Sequence, residues 1–382
     1  MLKIVTVIGA RPQIIKAAAL NRVINKNYKD SIKEVIVHTG QHYDAQMSQV
    51  FIDELNIPMP NYNFGIGSAT HGSQTGKMIR EVEEILFQEL PDYVVLYGDT
   101  NSTLAGAIAA SKINIPVVHI EAGLRSFNKS MPEEINRIMC DHVSTLLFTP
   151  TQTGLNNLIK EGFSASSSKP FTQDNPGLFH CGDVMYDNSL YFKKLAFESS
   201  EVIKEHKLAK KEFILCTIHR NNNTDDPERL NTIFSTLNEI SVINKIPVVL
   251  PLHPRTDNAM EESLDNSVAE AINKNSFFKL LPPVSFLDMI LLESQCEMVI
   301  TDSGGVQKEA YFFKKPSIIL RSETEWQEIV DAGTGIVTDA NRERIFEAYD
   351  YFKSKKNTLE YPSIFGDGNA AGFICQTILN NK

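Results

Sequence analysis

Val117-Val118-His119-Ile120-Glu121-Ala122-Gly123-Leu124-Arg125 runs from apolar into charged residues and is followed by Pro132-Glu133-Glu134-Ile135-Asn136-Arg137. A short apolar run that stops on charged residues reads as a buried strand and its exit, and Pro132 suits the first turn of a following helix. In an open α/β sheet, ligands bind beyond the carboxyl ends of the strands. Three carboxylates and two guanidiniums at one such exit predict acid/base chemistry on an anionic substrate.

The same pattern repeats along the chain. Apolar runs predict strands over 4–8, 34–38, 93–97, 117–120, 145–148 and 178–181, with helices such as 13–23, 74–90, 102–112 and 133–143 between them. A second series covers 213–217, 248–250, 278–280, 298–301 and 317–320. This alternation is βαβ organisation, and two doubly wound sheets satisfy it most economically. The polar, Ser- and Pro-bearing stretch 164–176 reads as an exposed loop just before the crossing between halves.

Composition agrees with two globular domains: 382 residues, 42% hydrophobic and 22% charged, exceed one compact core. A net charge of -10 argues against nucleic acid as the main partner, because phosphate-backbone binding relies on clustered cations. The five cysteines have no C-x-x-C spacing and read as free thiols in a reducing, cytoplasmic setting. The apolar stretch at the N-terminus is too short for a signal peptide, and no run is long enough to span a membrane.

The familiar nucleotide motifs are missing. Gly65-Ile66-Gly67 lacks a third glycine and does not join a strand to a helix, and no G-x-x-x-x-G-K-[ST] occurs. His38 and His42 share i, i+4 spacing, but Gly40 between them breaks the helix that a paired metal site needs, so no metal is expected.

Phosphate binding is better served by Asp302-Ser303-Gly304-Gly305, which follows the run 298–301 and opens a helix. Amides at a helix start attract anions, glycines allow close approach, and Ser303 either caps the helix or donates to a phosphate oxygen. Glu309 lies near enough to accept ribose hydroxyls. At the first strand exit, Arg11 and Lys16 flank a helix start and suit a diphosphate. In Gly98-Asp99-Thr100, either Asp99 or Thr100 caps a helix or Asp99 does chemistry. His219-Arg220 repeats a titratable residue beside a cation at a strand exit.

Taken in order, Gly9-Ala10-Arg11-Pro12 with Lys16, Thr39-Gly40-Gln41-His42, Gly98-Asp99-Thr100, Glu121-Ala122-Gly123-Leu124-Arg125, Pro132-Glu133-Glu134 with Asn136-Arg137, His219-Arg220, Asp302-Ser303-Gly304-Gly305 and Glu309 resemble the non-hydrolysing UDP-N-acetylglucosamine 2-epimerase family over nearly the whole chain. The resemblance implies two Rossmann-like domains of the glycosyltransferase-B type with the active site in the cleft between them. The expected division is 1–184 plus 366–382, the latter a helix crossing back to the first domain, and 185–365 as the UDP-binding domain. It implies an isomerase, without NAD or metal, that inverts C2 of a UDP-2-acetamido sugar. A base removes the C2 proton as UDP leaves C1, and UDP re-adds to the 2-acetamidoglucal. By resemblance Asp99, Glu121, Glu133 and His219 carry the chemistry. Arg11, Lys16, Arg137, Ser303, Gly304 and Gly305 hold phosphates or orient the sugar, and Glu309 holds the ribose. A cytoplasmic homodimer serving surface-polysaccharide or lipopolysaccharide precursor synthesis is the expectation.

Some positions depart from the family pattern. Asn222 stands where the family commonly has Glu two residues after His-Arg, and Ser73-Gln74 replaces the Arg-Gln pair common at its allosteric site. Allosteric activation is therefore not expected. Thr324-Glu325-Trp326, Gly98 to Thr103 and Met131 to Ile135 are closer to the branch acting on UDP-2,3-diacetamido-2,3-dideoxy-glucuronic acid. A glycosyltransferase of the same fold would need an acceptor face, a hydrolysing epimerase would let water capture the intermediate, and a mere UDP-sugar sensor would not need three carboxylates.

Overall fold

Every strand pairs in parallel with its neighbours. In the computed structural model, which describes residues 1–41, 59–209 and 212–381, the first sheet contains β1 (Leu2–Ile8), β2 (Ile32–His38), β3 (Tyr62–Asn63), β4 (Tyr93–Tyr97), β5 (Val117–Ile120), β6 (Leu146–Thr149) and β7 (Gly177–His180). Its order is β3-β2-β1-β4-β5-β6-β7. The second sheet contains β8 (Ile214–Thr217), β9 (Val248–Pro251), β10 (Phe278–Leu281), β11 (Met298–Thr301), β12 (Ser317–Ile319) and β13 (Gly335–Val337), in the order β10-β9-β8-β11-β12-β13. Parallel sheets need both faces covered, so their strands read as continuous apolar runs instead of alternating ones. β4 and β5 are buried at every residue.

In each sheet the strand order reverses beside the first strand of its series, between β1 and β4 and between β8 and β11. Such a switch point opens a crevice at the carboxyl ends, because the two connecting segments leave in opposite directions. Topology alone therefore directs attention to residues 9–11 and 98–101, and to 218–220 and 302–305.

The expected strands are present with small shifts of boundary. β3 and β13, of two and three residues, are additions that carry too little sequence to show a pattern. The helices Arg11–Val23, His71–Glu89, Asn101–Lys112 and Pro132–His142 start one to three residues before the predicted positions, because first turns are polar and carry no apolar periodicity. Asn101–Lys112 lies close to the sheet through small residues, and a Cβ on Gly106 would meet Leu96 Cδ2 at 2.6 Å. The stretch 164–176 is mostly exposed, with Phe171 packed edge-on against Phe179 of β7 at 5.8 Å between ring centres.

The chain divides into two compact units, Met1–Leu190 with Ser363–Lys382, and Tyr191–Pro362. In the first, β1, β2, β4 and β5 supply Val5, Val7, Val35, Val37, Val94, Leu96 and Val117 to a core closed by Val82 and Leu86. In the second, Leu230, Phe234 and Leu237 meet Ile214, Val248 and Ile300. The helix Ala370–Asn380 rests on Arg11–Val23, and its first amides, of Ala370 and Ala371, donate to the Asp187 carboxylate at 3.1 and 2.8 Å. Burial nonetheless pushes the Asp187 carboxyl up to about 6.

Within the first unit, the segment leaving β7 and the segment preceding the last helix touch backbone to backbone. Gly182 and Gly366 both have positive φ, +85° and +83°, and the Asp183 amide donates to the Phe365 carbonyl at 3.0 Å. A Cβ on Gly182 would lie 2.7 Å from that carbonyl oxygen and 2.9 Å from Gly366 Cα. Gly65 has φ +62° but open space around it. Gly65→Ala is therefore expected to cost about 1 kcal/mol from backbone conformation alone. Gly182→Ala should cost clearly more in urea unfolding, and equal losses in the two variants would contradict the close packing described.

Candidate active site

The β1 exit is built around Gln13. Its side-chain oxygen accepts from the Gly9 and Ala10 amides at 2.9 and 3.1 Å, and its amide nitrogen donates to the Tyr97 carbonyl and to Thr103 Oγ1, both at 2.9 Å. One buried amide thus ties the end of β1 to the end of β4. Pro12 supplies a preset φ in the first turn, and Arg11 is exposed at the same helix start.

Across this exit Lys16 forms an ion pair with Glu121, their side chains only 14% and 11% exposed. Glu121 follows β5 with φ +74°, a left-handed conformation that costs a non-glycine residue about 1–3 kcal/mol. The amides of Glu121 and Ala122 both donate to the Phe148 carbonyl at 3.0 Å, which fixes the turn and directs the carboxylate towards Lys16. Gly98, at φ +63°, leaves room for both: a Cβ there would lie 3.4 Å from Glu121 Oε2 and from Lys16 Nζ.

Asp99 accepts from Arg137 through Nε and NH2 at 2.9 and 2.7 Å. Thr100, and not Asp99, caps the following helix, its Oγ1 accepting from the Thr103 amide at 3.3 Å. Arg137 also holds Glu134 at 2.7 Å, while Glu134 accepts the Ser126 and Phe127 amides at 2.9 Å each. Burial pushes the Glu134 carboxyl up, but these amides and the guanidinium outweigh it and hold it below the ordinary carboxylate range. Glu133 is exposed in the first turn of Pro132–His142.

One expectation needs correcting. Arg125 does not join the charged cluster at the β5 exit. Its guanidinium is 1% exposed and pairs with Asp141 at 2.8 Å and Glu161 at 2.7 Å. Asp141 in turn meets His119. This buried chain was missed because His119 reads as part of an apolar strand and Asp141 as an ordinary helical residue. His38 Nδ1 accepts from the Gly40 amide at 3.0 Å, while His42 lies outside the described residues. Among the described residues, no group of three His, Cys, Asp or Glu side chains is arranged to hold a metal. Gln74, at the position of the missing allosteric pair, is buried and bonds the Gly67 carbonyl and Asn101 at 3.0 and 2.8 Å.

In the second unit, Asp302 plays the organising part. Fully buried beyond β11, it accepts the amides of His219 at 3.0 and 3.1 Å and of Arg220 at 3.0 Å, together with Asn223 Nδ2 at 3.1 Å. It thereby locks the β8 exit to the β11 exit. His219 Nδ1 lies 3.4 Å from Asp302, and its ring packs against His253 at 5.6 Å. Burial holds the His219 pKa below the ordinary value; Asp302 opposes this, and Arg220 and His253 reinforce it. His253 was not singled out in the sequence, since it begins a helix far from His219 in the chain.

Ser303 caps the helix Gly304–Phe312 at Val306 N, 3.5 Å away. A Cβ on Gly304 would meet the carboxylate of Glu325, the end of a partly exposed side chain that would have to shift, and Trp326 Nε1 donates to the Gly304 carbonyl at 2.9 Å. The Gly305 position is exposed. Glu309 is half-buried in the second turn, and behind it lies Glu293, fully buried and pushed well above the carboxylate range by burial and by the Glu309 charge. A cavity of about 580 Å³ opens beside this edge, lined by Arg220, Asn222, Asn223, Arg229, Arg321 and Asp339 among others.

Two doubly wound units with loaded switch points define the glycosyltransferase-B class of nucleotide-sugar proteins. Within it, residues 25–379 match the family model for UDP-N-acetylglucosamine 2-epimerase. A UDP-N-acetylglucosamine 2-epimerase homolog of Methanococcus maripaludis is 46% identical over 99% of this chain and 100% of its own. The UDP-2,3-diacetamido-2,3-dideoxy-D-glucuronate 2-epimerase of Pseudomonas aeruginosa is 44% identical over 98% and 99%. The crystal structure of Methanocaldococcus jannaschii UDP-GlcNAc 2-epimerase in complex with UDP-GlcNAc and UDP superposes with a TM-score of 0.78, at 39% identity over 99% of both chains. The chain belongs to the UDP-N-acetylglucosamine 2-epimerase family, whose members are isomerases.

The depressed His219 pKa makes the stability of the fold depend on pH. The unfolded chain binds a proton more tightly at this site, so the contribution to stability is full above about 6.5 and is lost as pH falls through the lower folded value. Histidine NMR should give a His219 midpoint below 6.5, and His253→Gln should raise it. A midpoint at or above 6.5 would contradict the burial described.

Proposed function

We propose that this protein is a non-hydrolysing 2-epimerase that inverts C2 of a UDP-2-acetamido sugar by eliminating and re-adding UDP. The observation that carries the proposal is the Lys16–Glu121 ion pair at the β1/β4 switch point, beside the Asp99–Arg137 pair. A base at C2 and a cation for the departing diphosphate are the two demands of that elimination, and they meet in one place.

The carboxylates Asp99, Glu121 and Glu133, with His219, form the acid/base set. One takes the C2 proton as the C1–oxygen bond breaks and UDP carries away the electron pair. A second delivers a proton to the opposite face of the 2-acetamidoglucal, and UDP re-adds at C1. Arg11, Lys16 and Arg137 counter the diphosphate or orient the sugar. Ser303, Gly304 and Gly305 offer amides and a hydroxyl to phosphate, and Glu309 accepts from the ribose. Redirecting the Lys16 ammonium from Glu121 towards phosphate as substrate binds would free that carboxylate for the C2 proton.

Of the two substrates considered, the UDP-2,3-diacetamido-2,3-dideoxy-glucuronate is favoured. Supporting it is the 44% identity with the Pseudomonas aeruginosa UDP-2,3-diacetamido-2,3-dideoxy-D-glucuronate 2-epimerase, against 39% with the Methanocaldococcus jannaschii UDP-N-acetylglucosamine 2-epimerase. The place of action is the cytoplasm: the described cysteines are free thiols, and among the described residues no helix is long and apolar enough to cross a membrane. A homodimer is supported by Met131, Ile135 and Met139, exposed at successive turns on and beside Pro132–His142.

In deuterated water, without added NAD or metal, the protein should place deuterium at C2 of its UDP-sugar. Transfer to an acceptor without C2 exchange would instead identify a glycosyltransferase. Side-by-side assays should give the higher kcat/KM for the diacetamido uronate over UDP-GlcNAc. Glu121→Gln should lower kcat by roughly 100-fold or more while sparing UDP binding, whereas Lys16→Ala should weaken UDP binding. Unchanged UDP affinity in Lys16→Ala would remove lysine from the proposed diphosphate role.

A further inference from the structure

His119 lies on β5, fully buried, two residues before Glu121. Its Nδ1 is 2.6 Å from Asp141 Oδ1 and its Nε2 is 2.8 Å from the Gly98 carbonyl oxygen. A peptide oxygen can only accept. Asp141 also accepts on both sides: its other oxygen takes the Arg125 guanidinium at 2.8 Å and the Gly123 amide at 3.1 Å, and although burial pushes its carboxyl up, His119 and Arg125 outweigh this and hold it below the ordinary carboxylate range. A neutral imidazole has one N–H and would set a nitrogen lone pair against an oxygen lone pair at one of these contacts. Both ring nitrogens therefore carry protons.

The charges alternate inward from the surface: Glu161 holds Arg125 through two contacts of 2.7 Å, Arg125 holds Asp141, and Asp141 holds His119. Two anions and two cations cancel, which is the condition under which buried charge is tolerated. Cys140, on the same helix as Asp141, also lies beside the ring. Burial pulls the His119 pKa down, but Cys140 and Asp141 outweigh it and hold it well above the ordinary histidine value.

The chain ends on a peptide that matters. The Gly98 carbonyl takes the His119 proton while the Gly98 amide donates to Ile120 at 3.1 Å, so the turn that carries Asp99 is gripped on both sides by β5. We propose that His119 is a positioning residue for the epimerase reaction: as a doubly donating imidazolium it fixes the Gly98 peptide, and through it sets Asp99 against Glu121. The proposal rests on the epimerase reading for its reaction, but its protonation claim stands on geometry alone.

The test has an arm for each part. Ring nitrogen-15 NMR of the wild-type protein at pH 8 should show His119 with both nitrogens protonated; a single protonated nitrogen overturns the proposal. In steady-state assays, His119→Asn should lower kcat roughly 100-fold with KM within a few-fold, as expected for a small misplacement of the reacting groups. A folded His119→Asn with wild-type kcat would overturn it. Should that variant not fold, Asp141→Asn retains the ring, and is expected to leave it with one proton and to lower kcat at similar KM; a doubly protonated ring or unchanged kcat there overturns the proposal. C2 deuterium exchange by the wild type is read in the same reactions: its absence defeats the epimerase reading while leaving the nitrogen spectrum to decide the protonation of His119.

Discussion

A carboxylate shut away from water must be neutralised from within the chain, since an uncompensated buried charge costs several kcal/mol. Each unit is organised around one such group. Asp141 gathers His119, Arg125 and the Gly123 amide, and Asp302 gathers the amides of His219 and Arg220 with the Asn223 side chain. Both have no exposure, and both serve backbone amides just beyond a strand end: Asp302 follows β11 directly, while Asp141 reaches the Gly123 amide beyond β5 from the last turn of the helix Pro132–His142. The anion supplies acceptors to those orphaned donors, and the donors make the buried anion tolerable. The exits are rigid for that reason, and the side chains displayed from them inherit the rigidity.

This arrangement separates two kinds of charged residue that look alike in a sequence. Asp141 and Asp302 act inward, as fixed counter-charges for the backbone. Asp99 pairs with Arg137 and Glu121 with Lys16 on the side of the turn that remains partly open. In the proposed reaction it is pairs of this kind that an incoming diphosphate would redirect.

The fold was legible because parallel strands buried on both faces leave unmistakable apolar runs, and because the residue after such a run is almost by definition at a strand exit. That located Asp99, Glu121, His219 and Ser303 in space before any pairing was known. The pairings were not legible. Lys16 meets Glu121 and Arg137 meets Asp99 across long stretches of chain, and no local spacing encodes them. Arg125 shows the error that follows: adjacent in sequence to the charged cluster, it turns inward to Asp141 and Glu161. His119 and Glu293 escaped notice for the opposite reason, since a polar residue inside an apolar run reads as a tolerated exception. β3 and β13 were too short to carry a period at all.

The four bonds of Gln13 have a meaning for how such a sequence can drift. Two are accepted by oxygen and two donated by nitrogen, from a group with no water at hand. Replacing that nitrogen by oxygen, as in glutamate, changes the side-chain volume hardly at all, yet sets a lone pair against the Tyr97 carbonyl and obliges the Thr103 hydroxyl, which donates to that same carbonyl at 2.7 Å, to turn away from it. Tolerance at this position is therefore measured in lone pairs and not in volume. A search for distant relatives that treats glutamine and glutamate as near synonyms would discard, at this one letter, much of what distinguishes a chain able to close its first strand onto its fourth.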